Sequence, residues 1–111
     1  MYKVSVTGHF DAAHQLPGVE ICERLHGHTW RVKVTITGNS LNDQKMLVDF
    51  RDVKQSWKRF DHQFLNDFFE MPTAECIAED IYRYLKAILP LDYKIKVKVW
   101  ESPDCGVEYH E

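Results

Sequence analysis

Hydrophobic and polar residues alternate from the start of the chain: Val4, Val6, Phe10 and Ala12 share one parity, and Lys3, Ser5, Thr7, His9 and Asp11 share the other. A period of two sends successive side chains to opposite faces, so a half-buried strand is expected over residues 2–14. Alternation resumes at His26, with Trp30, Val32, Val34 and Ile36 on one face and Thr29, Arg31, Lys33, Thr35 and Thr37 on the other, and it stops at GNS. This is a second strand. The intervening segment, QLPGVEICERL, contains Pro17 and Gly18 and has the length of a loop joining antiparallel neighbours.

Past residue 45 the period changes. Phe50, Val53, Trp57 and Phe60 recur at spacings of three and four, and Asp49 stands where a carboxylate can cap the first turn. A second helix is predicted from Thr73, whose hydroxyl can accept from free amides, with Ile77, Ile81, Leu85, Ile88 and Leu89 as its apolar stripe and Pro90 as its end. YKIKVKVW then returns to alternation, Lys94, Lys96 and Lys98 against Ile95, Val97 and Val99, and a short last strand is expected over 107–110. The order is ββααββ, an α+β fold with an antiparallel sheet and no linker, repeat or low-complexity tract. Two such hairpins leave strand edges open, which predicts closure by other subunits.

The 111 residues fit one domain, 1–111, and are too few for two independent cores. Fourteen basic against seventeen acidic side chains give a net charge of -3, which supplies no general attraction for a nucleic acid or an anionic membrane and leaves small molecules as the expected partners. No apolar run approaches membrane-spanning length and the first residues do not read as a signal peptide, so a cytoplasmic protein is expected. Cys22, Cys76 and Cys105 are odd in number and form no CxxC, which favours free thiols over a disulfide framework or a thiolate zinc site.

Candidate chemistry gathers in CERLHGH, residues 22–28. On a strand, His26 and His28 point out of the same face, and a hairpin brings His14 at the end of the first strand beside them. Three imidazoles on one partly covered surface form a ligand set for zinc with a fourth position for water or substrate. Any one of them alone would read as a hydrogen-bonded core histidine. His9 and His110 are expected to be solvated. Cys22, four residues before His26, is either an inert thiol or a thiolate favoured by a nearby dication. Asp61 and His62 are adjacent, and they can pair only if the helix breaks there. Glu101 continues the parity of Ile95, Val97 and Val99, so its carboxylate ends an apolar face and needs a partner, which a heterocycle with adjacent ring N–H and amino donors would suit; its other reading is a salt-bridged or edge-exposed acid.

The ordered pieces FDAAH, CERLHGH, VDF, DH, PTAE and WE, spread over nearly the whole chain, resemble the 6-pyruvoyltetrahydropterin synthase and 6-carboxytetrahydropterin synthase family. The resemblance implies the T-fold, in which trimeric barrels stack into a homohexamer with sites at subunit interfaces. It implies Zn2+ on His14, His26 and His28, acid/base work by Cys22 with Asp61 and His62, a pterin ring held by Glu101, and Thr73 in the segment lining the pterin pocket. The implied substrate is 7,8-dihydroneopterin triphosphate. The spacing CxxxHGH is similar to microbial 6-carboxytetrahydropterin synthases of queuosine biosynthesis, lyases that release acetaldehyde and triphosphate. Glu23 leaves open a folate-branch relative that forms 6-hydroxymethyl-dihydropterin, and its other reading is an exposed loop acid. The pyruvoyl enzyme and a pterin-binding homologue without turnover are further alternatives. A three-histidine zinc hydratase or cupin-like oxygenase would leave Cys22, Asp61 and Glu101 without roles. Cys76 stands where many members have asparagine, and Phe60 where leucine is usual.

Overall fold

In a computed structural model, which describes residues 1–111, the first alternating run forms strand β1, Tyr2–His14, and the second forms β2, His26–Gly38. They pair antiparallel over their full length, from Tyr2 opposite Gly38 to His14 opposite His26. Helix α1 covers Phe50–Lys58 and α2 covers Ala74–Ile88. Between the helices lies an element the periodicity did not predict, the two-residue strand β3 at Gln63–Phe64, which pairs parallel with Ala12 and Ala13. Strands β4, Lys94–Ser102, and β5, Cys105–His110, complete a five-stranded sheet in the order β3-β1-β2-β4-β5.

Helix starts follow the expected caps. Asp49 Oδ1 accepts from the Arg51 amide at 2.9 Å, and the Thr73 hydroxyl accepts from the Cys76 amide at 3.2 Å, each satisfying a donor that the first turn cannot. Both helices lie on the face of the sheet that carries the even-numbered residues of β1 and β2. There Phe10, Trp30, Val34, Val53, Trp57, Ile81, Leu85 and Val97 belong to one buried cluster of 23 residues. Phe10 and Trp30 stack with planes 5° apart and centroids 5.9 Å apart. Two expectations are corrected at the ends of the stripes. Phe50 and Ile88 are about half exposed, each at a terminal turn of its helix.

The docking of α1 depends on Gly8. A Cβ there would lie 2.7 Å from a ring carbon of Trp57, closer than any packed methyl sits, so the absence of a side chain on β1 is what lets the indole reach the sheet. The opposite face of the sheet is polar. Lys33 stands directly across from Lys98, and Thr35 across from Lys96, all on the solvent side.

Candidate metal centre

The registration of β1 on β2 builds the site. His14 pairs directly with His26, and His28 pairs with Ala12, the previous inward position of β1, so His28 is the diagonal neighbour of His14. Ring centroids are 4.5 Å apart for His14 and His26, 5.1 Å for His14 and His28, and 4.8 Å for His26 and His28, all edge to face. The buried Trp30 forms their floor, with its centroid 5.0 Å from that of His14, and its indole N–H donates to the Ala12 carbonyl at 3.2 Å.

Two backbone carbonyls set the tautomers. His14 Nδ1 donates to the Pro72 carbonyl at 2.8 Å, and His26 Nδ1 donates to the Arg24 carbonyl at 2.7 Å. With Nδ1 protonated in the neutral ring, each Nε2 keeps a free lone pair aimed away from the backbone, the arrangement in which imidazole binds a metal. His14 is fully buried, and Nε2 of both His14 and His28 is buried without a hydrogen-bond partner. A buried lone pair left unused costs about 1–3 kcal/mol, so two in one place point to a ligand rather than to packing. Burial, together with the neighbouring His14 and His26, holds the pKa of His28 below its ordinary value despite the opposing pull of Glu101. The neutral ring is the one that can coordinate.

Glu101 joins the three rings. Arg31 of β2 pairs with Trp100 of β4, which brings Glu101 level with Trp30, one inward position from His28. Its Oε1 lies 2.9 Å from His28 Nε2, without the alignment of a hydrogen bond, and 3.6 Å from His14 Nε2. One donor atom from each of His14, His26, His28 and Glu101 falls within a 4.8 Å span. The carboxylate that ends the apolar face of β4 thus faces imidazole nitrogens. Three imidazole nitrogens and a carboxylate oxygen are a donor set that suits zinc.

The other expected residues lie on separate segments. Past the end of α1 the chain turns through His62, whose φ of 59° is left-handed, and this break lets adjacent residues pair: His62 Nδ1 lies 3.0 Å from Asp61 Oδ2. Asp61 Oδ1 accepts from the Asp11 amide at 2.9 Å, and the His62 amide donates to the Asp11 carbonyl at 2.6 Å. The Asp11 amide and then His62 hold the Asp61 carboxyl below the usual carboxylate range. His62 and His28 line the same open cavity of about 720 Å³. Cys22 does not line it. Its thiol is partly buried on a single 3-10 turn, Glu20–Glu23, which the Leu16 amide closes back onto the start of the loop by donating to the Cys22 carbonyl at 2.7 Å. Glu23 accepts from the Gly18 amide at 2.9 Å within that loop, where Gly18 has φ +82°. Thr73 caps α2, one residue after the carbonyl that orients His14. All three cysteines are free, and His9 and His110 are exposed as expected.

Sequence reasoning missed four contributors. The Pro72 and Arg24 carbonyls are backbone atoms with no residue signature. Asp11 anchors the Asp61–His62 pair through its main chain. Asn66 clamps the residue after His14, accepting from the Gln15 amide and donating to its carbonyl at 2.9 and 2.8 Å.

Comparison with known proteins fits this geometry. The family model described as 6-pyruvoyl tetrahydropterin synthase matches residues 3–111. Among similar proteins, the 6-carboxy-5,6,7,8-tetrahydropterin synthase of Bacillus subtilis is 36% identical over 110 residues, covering 86% of this chain and 75% of the relative. The dihydroneopterin monophosphate aldolase of Pyrococcus furiosus is 38% identical over 104 residues, covering 89% of each. The structure of Caenorhabditis elegans 6-pyruvoyl tetrahydropterin synthase superposes with a TM-score of 0.79 over 99% of this chain and 95% of that one, at 23% identity.

Proposed function

The chain belongs to the 6-pyruvoyl tetrahydropterin synthase family, and we propose that it is a zinc-dependent 6-carboxy-5,6,7,8-tetrahydropterin synthase, a lyase that converts 7,8-dihydroneopterin triphosphate and water to 6-carboxytetrahydropterin, acetaldehyde and triphosphate. The observation that carries this reading is the convergence of His14, His26 and His28 in one cluster, with Nε2 of His14 and His28 buried and unpartnered and His28 lining a cavity shared with His62. The CxxxHGH spacing and the 36% identical Bacillus subtilis synthase favour the carboxy product.

Zinc held by His14, His26 and His28 supplies Lewis acidity toward side-chain oxygens of the substrate. The protein groups do the rest. Cys22 takes the carbon-bound proton of the side chain, and His62 is the complementary acid/base, kept in one orientation by the Asp61 carboxylate. Glu101 fixes the pterin by accepting from its ring N–H and amino donors, and Thr73 lines the pocket. Exposure of His62 suits a proton carrier that must exchange with solvent, and burial of His14 suits a ligand that must not.

The sheet supports the expected homohexamer. Strand β3 covers only Ala12 and Ala13 of β1, so the earlier edge of β1 and the free edge of β5 both remain available for a neighbouring subunit. A cytoplasmic setting and a place in queuosine biosynthesis belong to the same reading, the first supported by three free thiols.

The test is direct: the zinc-loaded protein is incubated with dihydroneopterin triphosphate and the pterin identified by mass. A 6-carboxy product is expected. A second reading, favoured by the Pyrococcus furiosus aldolase and by Glu23, is cleavage to a 6-hydroxymethyl pterin, and that mass would replace the first assignment. Unchanged substrate would leave a pterin-binding protein without turnover.

A further inference from the structure

The outer face of the sheet, turned away from both helices and from the three imidazoles, concentrates positive charge. Lys3 of β1, Arg31 and Lys33 of β2, and Lys94, Lys96 and Lys98 of β4 all leave from it, and all are exposed. They are six of the fourteen basic side chains. The acids at paired positions of this face are Asp11 and Glu108, and Asp11 already accepts from the Thr29 hydroxyl at 2.6 Å. Elsewhere Arg51, Arg59 and Arg83 each have a carboxylate partner, and none of these six does.

Within the patch the charges are forced together. Lys33 stands directly opposite Lys98, and Lys96, paired with Thr35, is the diagonal neighbour of Lys33. Like charges across a ladder destabilise it, and no acid of the chain relieves them. The three lysines line a concavity of about 220 Å³ with Thr35, Trp100 and Glu108. Trp100 organises its rim. The indole lies over Gly106, where a Cβ would come within 2.6 Å of the ring, and the Lys98 ammonium and Arg31 guanidinium sit 5.0 and 5.3 Å from it. Cations held this way lose less freedom when an anion arrives.

We propose that this concavity binds a short phosphate chain, with Lys33, Lys96 and Lys98 as its cationic contacts and the Thr35 hydroxyl as a further donor. A single phosphate carries about two negative charges, fewer than the three ammonium groups, whereas a chain of phosphates matches them. Free inorganic triphosphate and the tail of a nucleoside triphosphate share that chemistry. A nucleic acid fits less well. The chain as a whole carries a charge of -3, so the surface beyond the patch is acidic, and a long polyanion would run onto it. Trp100, already packed on Gly106 and attended by two cations, is a poor platform for a base.

Calorimetric titration of the full chain with inorganic triphosphate should show binding that weakens as salt rises. Loss of a charged hydrogen bond lowers affinity about tenfold or more, so the double variant Lys33→Gln, Lys98→Gln should bind at least about tenfold more weakly. The charge-matched variant Lys54→Gln, Lys58→Gln, at exposed positions of α1, should bind as the wild type does. So should His28→Ala, because its ring leaves the other face of the sheet. Triphosphate should raise the unfolding midpoint of the wild type and not that of the Lys33, Lys98 variant. Without the anion, that variant should unfold at or above the wild-type temperature, since its opposed charges are gone, which separates lost affinity from lost folding. ATP binding as tightly as free triphosphate assigns the site to a nucleotide tail, and markedly weaker binding assigns it to the free anion. No binding by the wild type, equal loss in both double variants, or loss in His28→Ala overturns the proposal. Tighter binding of a single-stranded RNA oligomer than of triphosphate overturns it as well.

Discussion

At the scale of single residues, the proposed mechanism divides the site into groups that would hold the metal and groups that would move protons. His28 supplies a lone pair from a ring that burial keeps neutral, and nothing else in the cluster can substitute for it. Cys22 is outside the four-donor cluster. His28→Ala should therefore lose both bound metal and pterin product, whereas Cys22→Ala should keep its metal and lose the carboxy product, as measured by metal analysis and mass identification of the pterin. Metal loss from the Cys22 variant would make the sulfur a ligand and remove its proposed role as base. The legible and the illegible meet here. The parity of His14, His26 and His28 was readable because strand geometry fixes which face a side chain leaves. The destination of Glu101 was not, because parity gives a face and no partner. The Asp61–His62 pair was readable only as a condition, that the helix break, and the left-handed backbone at His62 is what meets it.

Secondary-structure elements show the same division. Both helices and four of the five strands follow from period and caps, since a run of alternating or three-and-four-spaced apolar residues has few other ways to bury itself. Strand β3 is two residues long and is held by pairing with β1, so its sequence carries no period to read. The fit of α1 onto β1 depends on a glycine whose meaning appears only once Trp57 is placed against it. Gly8→Ala would force a methyl group into the indole and should destabilise the fold by about 1–3 kcal/mol, seen as a lower urea midpoint with an unchanged slope. A Gly8 variant of wild-type stability would mean that the indole is free to retreat. The helix cap at Thr73 has wider reach, because the preceding residue supplies the carbonyl that fixes His14. Fraying of α2 at this end would be transmitted to the metal ligands.

For the whole molecule, the open edges of the sheet have the largest consequence. An edge as long as that of β1 presents unpaired amide and carbonyl groups, and no Lys, Pro or bulge pattern is evident in its first half beyond Lys3 to keep another strand away. Sedimentation at micromolar concentration should therefore give a species several times the 13.1 kDa chain mass, and a hexamer if the proposed assembly holds. A monomer would contradict it. The polar face of the sheet, with Lys33 opposite Lys98, gains nothing from such pairing as a lone chain, since like charges across a ladder repel.

The ladder between β1 and β2 runs through thirteen consecutive pairs and finishes on two of the three histidines. Their spacing is thus decided by the arms of the hairpin and not by the eleven residues that join them. That connector bears Cys22 and Glu23, so under the proposed function exchanges within it would redirect the reaction without moving the histidines. The hairpin acts as a fixed socket, and its tip as a replaceable tool.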